Sequence, residues 1–307
     1  MNGDLVIDVR GITKRFGGRA VVNDIAMQVR RGEIHGFLGP NGSGKTTFLR
    51  MLCGLLRPDA GNGTCLGFDI RTQSADIKKH VGYMTQRFSF YEDLSIEENL
   101  DFVARIYGVP QRRQAVAKSL ESLGLTGRRL QLAGQLSGGW KQRLALAACM
   151  IHDPELLLLD EPTAGVDPKA RRDFWQEIHR LAAAGLTVLI TTHYMDEAER
   201  CHRLAYIAYG DLLARGTVEE VIRSAELAIW EVSGPNLWEL AEKLRGLAGV
   251  EQVVPFGNTL HVSGRDAARL RTSLTPWMTG EYRWQEVEAG LEDVFIGLME
   301  TAKDNFG

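Results

Sequence analysis

A glycine-rich stretch at residues 39 to 46 reads GPNGSGKT and has the residue types of a phosphate-binding loop. It matches the pattern GxxxxGK followed by Ser or Thr, between an apolar run typical of a strand and a run typical of a helix. The glycines let backbone N–H groups turn towards phosphate oxygens, Lys45 supplies a positive charge, and Thr46 offers a hydroxyl to Mg²⁺. A helix beginning near Lys45 would add the positive end of its dipole. The stretch therefore predicts a site for phosphate groups.

Two adjacent carboxylates follow four leucines in the sequence LLLLDEP, residues 156 to 162. Asp160 is predicted to bind Mg²⁺, directly or through water. Glu161, one residue further along, is the better candidate for a general base or for polarising an attacking water. Acidic residues at a strand end are often only solvated surface groups. Their position downstream of a phosphate loop favours the catalytic interpretation.

Two polar residues, Gln86 and His193, also follow predicted strands. His193 ends the run LTVLITTH, and Gln86 ends HVGYMTQ. A single histidine at a strand end is usually polar surface or a satisfied hydrogen-bonding group. However, His193 would emerge at the edge of the sheet where open α/β folds bind ligands, which favours a γ-phosphate contact. Gln86 is likewise either a polar surface group or a functional one. In the functional interpretation its amide oxygen binds Mg²⁺ or a water molecule.

A second glycine-rich stretch, LSGGWKQR at residues 136 to 143, resembles another anion site. Ser137, Gly138 and Gly139 stand at a predicted helix start, where a hydroxyl and several backbone N–H groups have no partner within the helix. One chain would thus carry two phosphate-binding helix ends, held apart by a helical insertion. This arrangement predicts that the second end binds the nucleotide held by another copy.

The elements that must position these residues indicate an α/β fold. The opening segment alternates apolar and polar residues, which predicts short antiparallel strands. From about Gln86 to Ile151 the apolar spacing is helical, and Ser95 with Glu98 fits a capping box at a helix start. Unbroken apolar runs then flank a helix, which is typical of a parallel sheet covered on both faces.

The last third of the chain predicts a separate small α+β domain. Its order is strand, helix, two strands, helix, strand and closing helix, at residues 227–232, 236–247, 250–256, 258–263, 267–277, 282–287 and 291–302. The β-α-β-β-α-β part is that of a ferredoxin-like split unit. The predicted domains are 1–223, with a helical part at about 87–150, and 224–307. The small domain has no motif with chemistry, so packing or dimerisation is favoured over ligand sensing.

Composition limits the possible partners of the chain. The 307 residues carry 36 basic and 39 acidic side chains, a net charge of −3, so nothing favours nucleic-acid binding. The four cysteines are widely spaced, which indicates reduced thiols in a cytosolic protein. The N-terminus lacks the features of a secretion signal, and no segment approaches about 20 uninterrupted apolar residues. If the protein serves a membrane, we expect it to act from outside the bilayer.

Taken in order, the motifs GPNGSGKTT, LSGGWKQR, LLLLDEPTAGVD and ITTH resemble the ATP-binding subunit of an ABC transporter, over about residues 5 to 222. The resemblance implies a P-loop NTPase cassette that binds ATP and Mg²⁺, with adenine stacked on Phe16. It implies Thr46, Gln86 and Asp160 at the metal, Glu161 as the catalytic carboxylate and His193 as a switch contact. Asp167 would lie in a loop that crosses to the partner. The phosphate-binding residues would be Gly39, Pro40, Asn41, Gly42, Ser43, Gly44, Lys45, Thr46 and Thr47.

The same resemblance implies a working unit. Two cassettes, from this chain or from a paralogue, would pair head to tail with ATP between the phosphate loop of one and the 137–139 motif of the other. An integral-membrane permease would dock near residues 87–100, although an ordinary amphipathic helix face explains that segment nearly as well. The chain would then be cytoplasmic, peripheral on the inner face of the cell membrane.

Further motifs, including THYMDEAERC and LEDVFIGLM, are similar to those of bacterial multidrug and lipid exporter ATPases. A soluble ABC ATPase acting on nucleic acid or ribosomes is the alternative, but the chain has neither long coiled coils within the cassette nor two cassettes joined by a charged linker. Trp140 departs from the family pattern, which usually has Met or Gln after the signature glycines. The motifs do not explain this tryptophan.

Overall fold

The computed structural model describes residues 4–302, which divide into two compact units at residues 4–214 and 215–302. The first unit contains, in chain order, β1 (Leu5–Phe16), β2 (Arg19–Arg30), β3 (Ile34–Leu38), α1 (Lys45–Leu52), β4 (Ala60–Cys65), β5 (Phe68–Asp69), α2 (Ser74–His80), β6 (Val81–Met84), α3 (Ile96–Ile106), α4 (Arg112–Ser122), α5 (Gly138–Met150), β7 (Leu156–Asp160), α6 (Pro168–Ala183), β8 (Thr187–Thr192), α7 (Met195–Ala198), β9 (Arg203–Ala208) and β10 (Asp211–Gly216), within which the division falls.

A six-stranded sheet forms the centre of the first unit, in the order β10-β9-β3-β8-β7-β6. The pairs β3/β8, β3/β9, β7/β8 and β6/β7 are parallel. Every residue of β3, β7 and β8 is buried. Because side chains alternate along a strand, Leu156 and Leu158 pack into one hydrophobic cluster while Leu157 and Leu159 pack into another. The predicted parallel sheet with two covered faces is confirmed.

The opening segment forms longer strands than the alternating pattern predicts. β1 and β2 have 12 residues each and pair in the antiparallel direction, with several irregularities in register. β1 also pairs with β4, which completes a second sheet of order β2-β1-β4-β5. The strands therefore continue through these irregularities instead of ending at them.

Three helices, α3, α4 and α5, contact one another and form the predicted helical part. α3 begins at the predicted capping box: Ser95 Oγ accepts from Glu98 N at 3.2 Å, and Glu98 Oε2 accepts from Ser95 N at 2.8 Å. Buried Asn99 donates to the backbone oxygens of Tyr91, Leu94 and Ser95 and so holds the preceding loop on the helix. The described residues 4–302 contain no helix that is both long and apolar enough to span a membrane.

The second unit has the predicted split β-α-β order. It contains α8 (Val218–Ala225), β11 (Ala228–Ser233), α9 (Leu237–Leu244), β12 (Gln252–Phe256), β13 (Thr259–Gly264), α10 (Ala267–Leu274), β14 (Arg283–Val287) and α11 (Leu291–Thr301). The sheet order is β12-β13-β11-β14, with neighbours antiparallel. The helices α9 and α10 are shorter than predicted, and a 3₁₀ turn at Thr275–Trp277 follows α10.

Both faces of this small sheet meet helices. On one face, Leu240 of α9 and Leu270 of α10 share a hydrophobic cluster with strand residues. On the other, His261 Nδ1 lies 2.8 Å from Asp293 Oδ1 of α11. The sequence predicts the domain boundary after residue 223, but the division falls after Ala214 because α8 contacts α11 of the small unit.

His35 lies inside the central sheet, on β3, and is 4% exposed. Neither ring nitrogen has a hydrogen-bond partner. Burial, with a smaller effect of the positive charge of Arg203, lowers the pKa of His35 from 6.5 to about 4. The folded protein therefore holds this imidazole in its neutral form.

We expect His35 to make folding stability depend on pH. Because its pKa is lower in the folded than in the unfolded chain, the unfolded chain binds more protons between these values, and stability falls as pH drops from 6.5 to about 4. The loss over this range is about 3 kcal/mol. Urea unfolding at several pH values gives the free energy of unfolding as a function of pH. This free energy should depend less steeply on pH in His35→Leu than in the unmodified chain. An equal slope in both proteins would contradict this assignment.

Candidate functional site

The predicted site residues meet at one edge of the central sheet. The carboxyl ends of β3, β6, β7 and β8 lead respectively into the phosphate loop, Gln86, the Asp160–Glu161 pair and His193. Parallel strands place their carboxyl ends on the same edge, where open α/β sheets bind ligands. The chain connects these strands through helices, so residues far apart in sequence become neighbours.

Glycine is required at two positions of the phosphate loop because backbone atoms approach closely there. A Cβ on Gly39 would lie 2.0 Å from Ile207 O, and a Cβ on Gly44 would lie 2.4 Å from Val21 O. Gly44 also has φ = 106°, a conformation that side chains disfavour. α1 begins directly after it, at Lys45, as predicted. The Oγ of Ser43 is buried without a hydrogen-bond partner, which suits a loop built to receive another polar group.

Lys45 is buried beneath the loop and makes three polar contacts. Its Nζ donates to Gly39 O at 2.7 Å and Pro40 O at 2.9 Å, and it lies 3.1 Å from Glu161 Oε1. Burial lowers the pKa of Lys45, and the negative charge of Glu161 opposes that shift. The ammonium is thus held at the base of the loop by carbonyl groups and one carboxylate.

Asp160 is 1% exposed and is surrounded by hydroxyl groups. Its Oδ1 accepts from Thr46 Oγ1 at 3.0 Å and from Thr191 Oγ1 at 2.9 Å. Tyr83 donates to Oδ2 at 3.4 Å, and burial together with the charge of Asp160 raises the pKa of Tyr83 to about 12. Two of the three predicted metal ligands, Thr46 and Asp160, are therefore brought together.

Glu161 lies at the centre of the site. Its carboxylate is next to Lys45, accepts from Gln86 Nε2 at 3.0 Å through Oε2, and lies 3.2 Å from His193 Nδ1 without hydrogen-bond geometry. Gln86, predicted at the metal, thus donates its amide to Glu161. Glu161 has a left-handed backbone with φ = 45°, which is uncommon for a residue with a side chain. Such backbone strain is often found at functional sites.

Thr191 holds this strained turn, and sequence reasoning did not identify it. The backbone N–H of Glu161 donates to Thr191 Oγ1 at 2.9 Å, while the Thr191 hydroxyl donates to Asp160. One threonine therefore holds both the Asp160 carboxylate and the backbone of Glu161. The signal available in the sequence is the pair of threonines directly before His193.

The second glycine-rich stretch begins a helix as predicted. Ser137 is the exposed N-cap of α5 and its side chain makes no capping hydrogen bond. A Cβ on Gly139 would lie 2.6 Å from Ala170 Cβ, so this glycine also permits close packing on α6. A Cβ on Gly138 would lie 3.8 Å from Gly165 O. Within residues 4–302, no hydrogen bond or ion pair joins this helix end to residues 39–47.

Trp140 receives a structural explanation. Its ring is in contact with two guanidinium groups, with Arg128 Cζ at 4.7 Å and Arg143 Cζ at 5.3 Å from the ring centroid. Arg143 also donates to Leu123 O at 3.3 Å and lies 3.5 Å from Asp173 of α6. Stacked cations of this kind contribute about 0.5–2 kcal/mol each. Trp140 therefore joins the start of α5 to the segment before it.

The remaining predicted residues lie around the loop and at a helix start. Phe16 is 50% exposed, with Lys14 Nζ 5.6 Å from its ring centroid. Asp167 caps α6 by accepting from Lys169 N and Ala170 N. Asn41 is exposed, and Thr47 lies within the first turn of α1.

Comparison with known proteins gives the family. The ABC transporter family model matches residues 22–164. The chain is 44% identical over 221 residues to the probable multidrug ABC transporter ATP-binding protein YbhF of Escherichia coli (strain K12). The aligned region covers 71% of this chain but only 38% of YbhF. It is 40% identical to the Nod factor export ATP-binding protein I of Burkholderia lata, over 95% of this chain and 96% of that protein.

A solved structure agrees with these sequence relatives. CbiO1 from Clostridium perfringens, part of the ABC transporter complex cbiONQ, has a TM-score of 0.65 and 25% identity over 73% of this chain and 95% of that chain. The predicted fold class and the likeness to exporter ATPases are confirmed. The chain belongs to the ATP-binding proteins of ABC transporters.

Proposed function

We propose that this chain hydrolyses ATP to drive export through a membrane permease. The observation that carries the hydrolytic part is the position of Glu161, a buried carboxylate in contact with Lys45, Gln86 and His193. The export part is supported by two relatives whose names include multidrug transport and Nod factor export.

The nucleotide is proposed to bind along the phosphate loop, with adenine against Phe16. Lys45 and the N–H groups of residue 39 and residues 41–47 would bind the phosphates, because a helix start with free donors and a buried ammonium attracts anions. Phe16 is half-exposed, so an aromatic surface is accessible there for stacking. The unpartnered Ser43 hydroxyl is a further donor for a phosphate oxygen.

The residues around Asp160 fit a magnesium ion. Thr46 and Asp160 place a hydroxyl and a carboxylate oxygen 3.0 Å apart, and oxygen ligands are those that Mg²⁺ prefers. When bound, Mg²⁺ neutralises charge that develops on the phosphates. Thr191 keeps the Asp160 carboxylate oriented through its own hydrogen bond. Gln86 Nε2 donates to Glu161, which leaves the Gln86 amide oxygen as the atom that would bind the metal.

Glu161 is proposed to accept the proton of the attacking water. In the present arrangement Lys45 occupies one side of this carboxylate. Phosphate oxygens would compete for the ammonium, which would leave Glu161 free to orient a water molecule. His193 and Gln86 flank the same carboxylate and would contact the γ-phosphate and that water, respectively. The carboxylate, the lysine and the two flanking polar groups thus have complementary tasks.

A complete site is proposed to need two cassettes. Ser137 and the N–H groups at the start of α5 would form an exposed anion site, and in the described part no hydrogen bond or ion pair joins them to residues 39–47 of the same chain. A second cassette placed head to tail would bring these donors to the γ-phosphate. ATP would then favour the closed pair by the difference in its affinity for the two states.

The permease is proposed to dock on residues 87–100, on the inner face of the cell membrane. This segment is physically connected to the second anion site: Gly134 N donates to Glu92 O at 2.9 Å, and Lys141 Nζ donates to Glu92 Oε1 at 3.0 Å. Lys141 also lies 5.0 Å from the ring centroid of Phe88. A change at the docking segment can therefore reach the start of α5 through direct contacts.

Purification from native membranes tests the export function. The tagged chain should hydrolyse ATP and copurify with a multi-helix permease. Copurification with ribosomes or DNA, and with no membrane protein, would instead support a soluble ATPase.

A further inference from the structure

Glu197 is a fully buried carboxylate that the catalytic scheme above does not use. Its exposed fraction is 0%, and it belongs to the short helix α7, four residues after His193. Oε1 accepts from Thr163 Oγ1 at 2.5 Å, and Oε2 accepts from Thr192 Oγ1 at 2.7 Å. Burying a carboxylate is costly unless it is paired and hydrogen-bonded, so its position demands an account.

The two hydroxyl groups that donate to Glu197 belong to the two loops that carry the site residues. Thr163 is two residues after Glu161, and Thr192 directly precedes His193. The Thr192 oxygen also accepts from Tyr194 N at 3.0 Å. The residues on both sides of His193 are therefore held by one hydrogen-bonded chain that begins at Glu197. The same carboxylate holds the loop that follows Glu161.

Arg171 of α6 supplies the countercharge for Glu197. Its Nε lies 3.6 Å from Glu197 Oε1, and its guanidinium lies 4.1 Å from the ring centroid of Tyr194. α6 starts at the Asp167 cap, in the loop proposed to cross to the second cassette. Glu197 thus connects the catalytic carboxylate, the His193 turn and this loop.

We propose that Glu197 is a positioning residue for hydrolysis, which sets the distance between the Glu161 turn and His193. This inference rests on the proposed ATP hydrolysis. The carboxylate offers an acceptor oxygen to each hydroxyl, whereas a glutamine has one acceptor oxygen and would face the other hydroxyl with an amide N–H₂. Displacement of a reacting group by about 1 Å can lower the rate by about 100-fold.

The test compares Glu197→Gln with Glu199→Gln, the same change at an exposed position two residues away. We expect Glu197→Gln to lower kcat for ATP by about 10- to 100-fold and to change KM by less than about threefold, because the phosphate loop is untouched. Glu199→Gln should keep the activity of the unmodified chain. Glu197→Asp, which keeps the charge but shortens the reach, should fall between them.

A double-mutant cycle with His193→Ala separates positioning from general destabilisation. If Glu197 acts through His193, adding Glu197→Gln to His193→Ala should lower kcat by less than about threefold, because the effects of coupled residues do not add. Should Glu197→Gln fail to fold, Thr192→Val removes one of the two hydroxyl groups that donate to Glu197, with little change of shape. Thr192→Val then replaces Glu197→Gln in the double-mutant cycle with His193→Ala.

Two results would overturn the role of Glu197. One is a kcat for Glu197→Gln equal to that of the unmodified chain. The other is that Glu197→Gln lowers kcat by the same factor in the unmodified chain and in His193→Ala. An unmodified chain that hydrolyses no ATP would overturn the proposed function, and this inference with it. Activity in the unmodified chain therefore distinguishes the two failures.

Discussion

Replacement of Glu161 with glutamine is expected to lower ATP turnover by about 10² to 10⁴-fold, the usual contribution of a positioned general base. Glutamine has nearly the same shape and can occupy the left-handed turn as glutamate does. The backbone N–H that donates to Thr191 is unchanged, so the turn should persist. What is lost is the carboxylate that would accept a proton from water.

The same variant should still bind ATP and should accumulate as an ATP-loaded dimer. Lys45 would lose a negative partner, but phosphate oxygens would replace it. Steady-state ATP hydrolysis and size-exclusion chromatography with ATP and Mg²⁺ measure the two effects separately. Glu121→Gln, an identical change at an exposed position of α4, serves as the control and should behave like the unmodified chain.

An unchanged rate of hydrolysis in Glu161→Gln would remove Glu161 from its catalytic role. Loss of nucleotide binding together with turnover would point instead to a collapse of the phosphate loop. A melting temperature measured without nucleotide detects that collapse, because the Lys45–Glu161 pair is buried and removal of one partner of a buried pair is destabilising.

Replacement of Ser137 with arginine is expected to block the ATP-driven pairing of two chains. The arginine would fill the anion site at the start of α5 and would place a positive charge at the positive end of that helix. Ser137 is exposed and its side chain makes no capping hydrogen bond, so the fold should tolerate the change. We expect turnover to fall by about 10² to 10³-fold, as when donors to a developing negative charge are removed.

Binding of ATP to the single chain should remain within about twofold, a difference of about 0.4 kcal/mol. Equilibrium binding of a fluorescent ATP analogue measures this affinity, and size-exclusion chromatography in the Glu161→Gln background measures pairing. Thr126→Arg adds the same charge at another exposed position of the helical part and should leave pairing intact. Normal pairing of Ser137→Arg would contradict the two-cassette site.

Sequence patterns predicted the elements of both units well, because these patterns are local. Burial on both faces of a parallel strand requires a continuous apolar run, and the leucines of β7 show it directly. The second unit could be predicted element by element because turns and apolar spacing mark each change of direction. Its boundary could not, because the membership of α8 depends on its contact with α11, a helix more than 60 residues away.

The site residues were predictable as a set, but their contacts were not. The motif at residues 39–46 specifies a phosphate loop because its glycines, lysine and threonine are consecutive. In contrast, Thr46 and Asp160 are 114 residues apart, and Gln86 and Glu161 are 75 residues apart. Only the parallel sheet brings these pairs together. The amide of Gln86 donates a hydrogen bond to Glu161, and the spacing of these residues in the sequence could not indicate this contact.

The family, the order of the elements and the residue types at the site can be predicted from the sequence, because each depends on short stretches of chain. Which groups contact one another, through hydrogen bonds or through charges, depends on the tertiary structure. Thr191 bonds the Asp160 carboxylate and the Glu161 backbone, Trp140 contacts two arginines, and Glu197 joins the loops of Glu161 and His193. The physical reason is that these interactions act over a few ångströms in space, between residues that the chain separates.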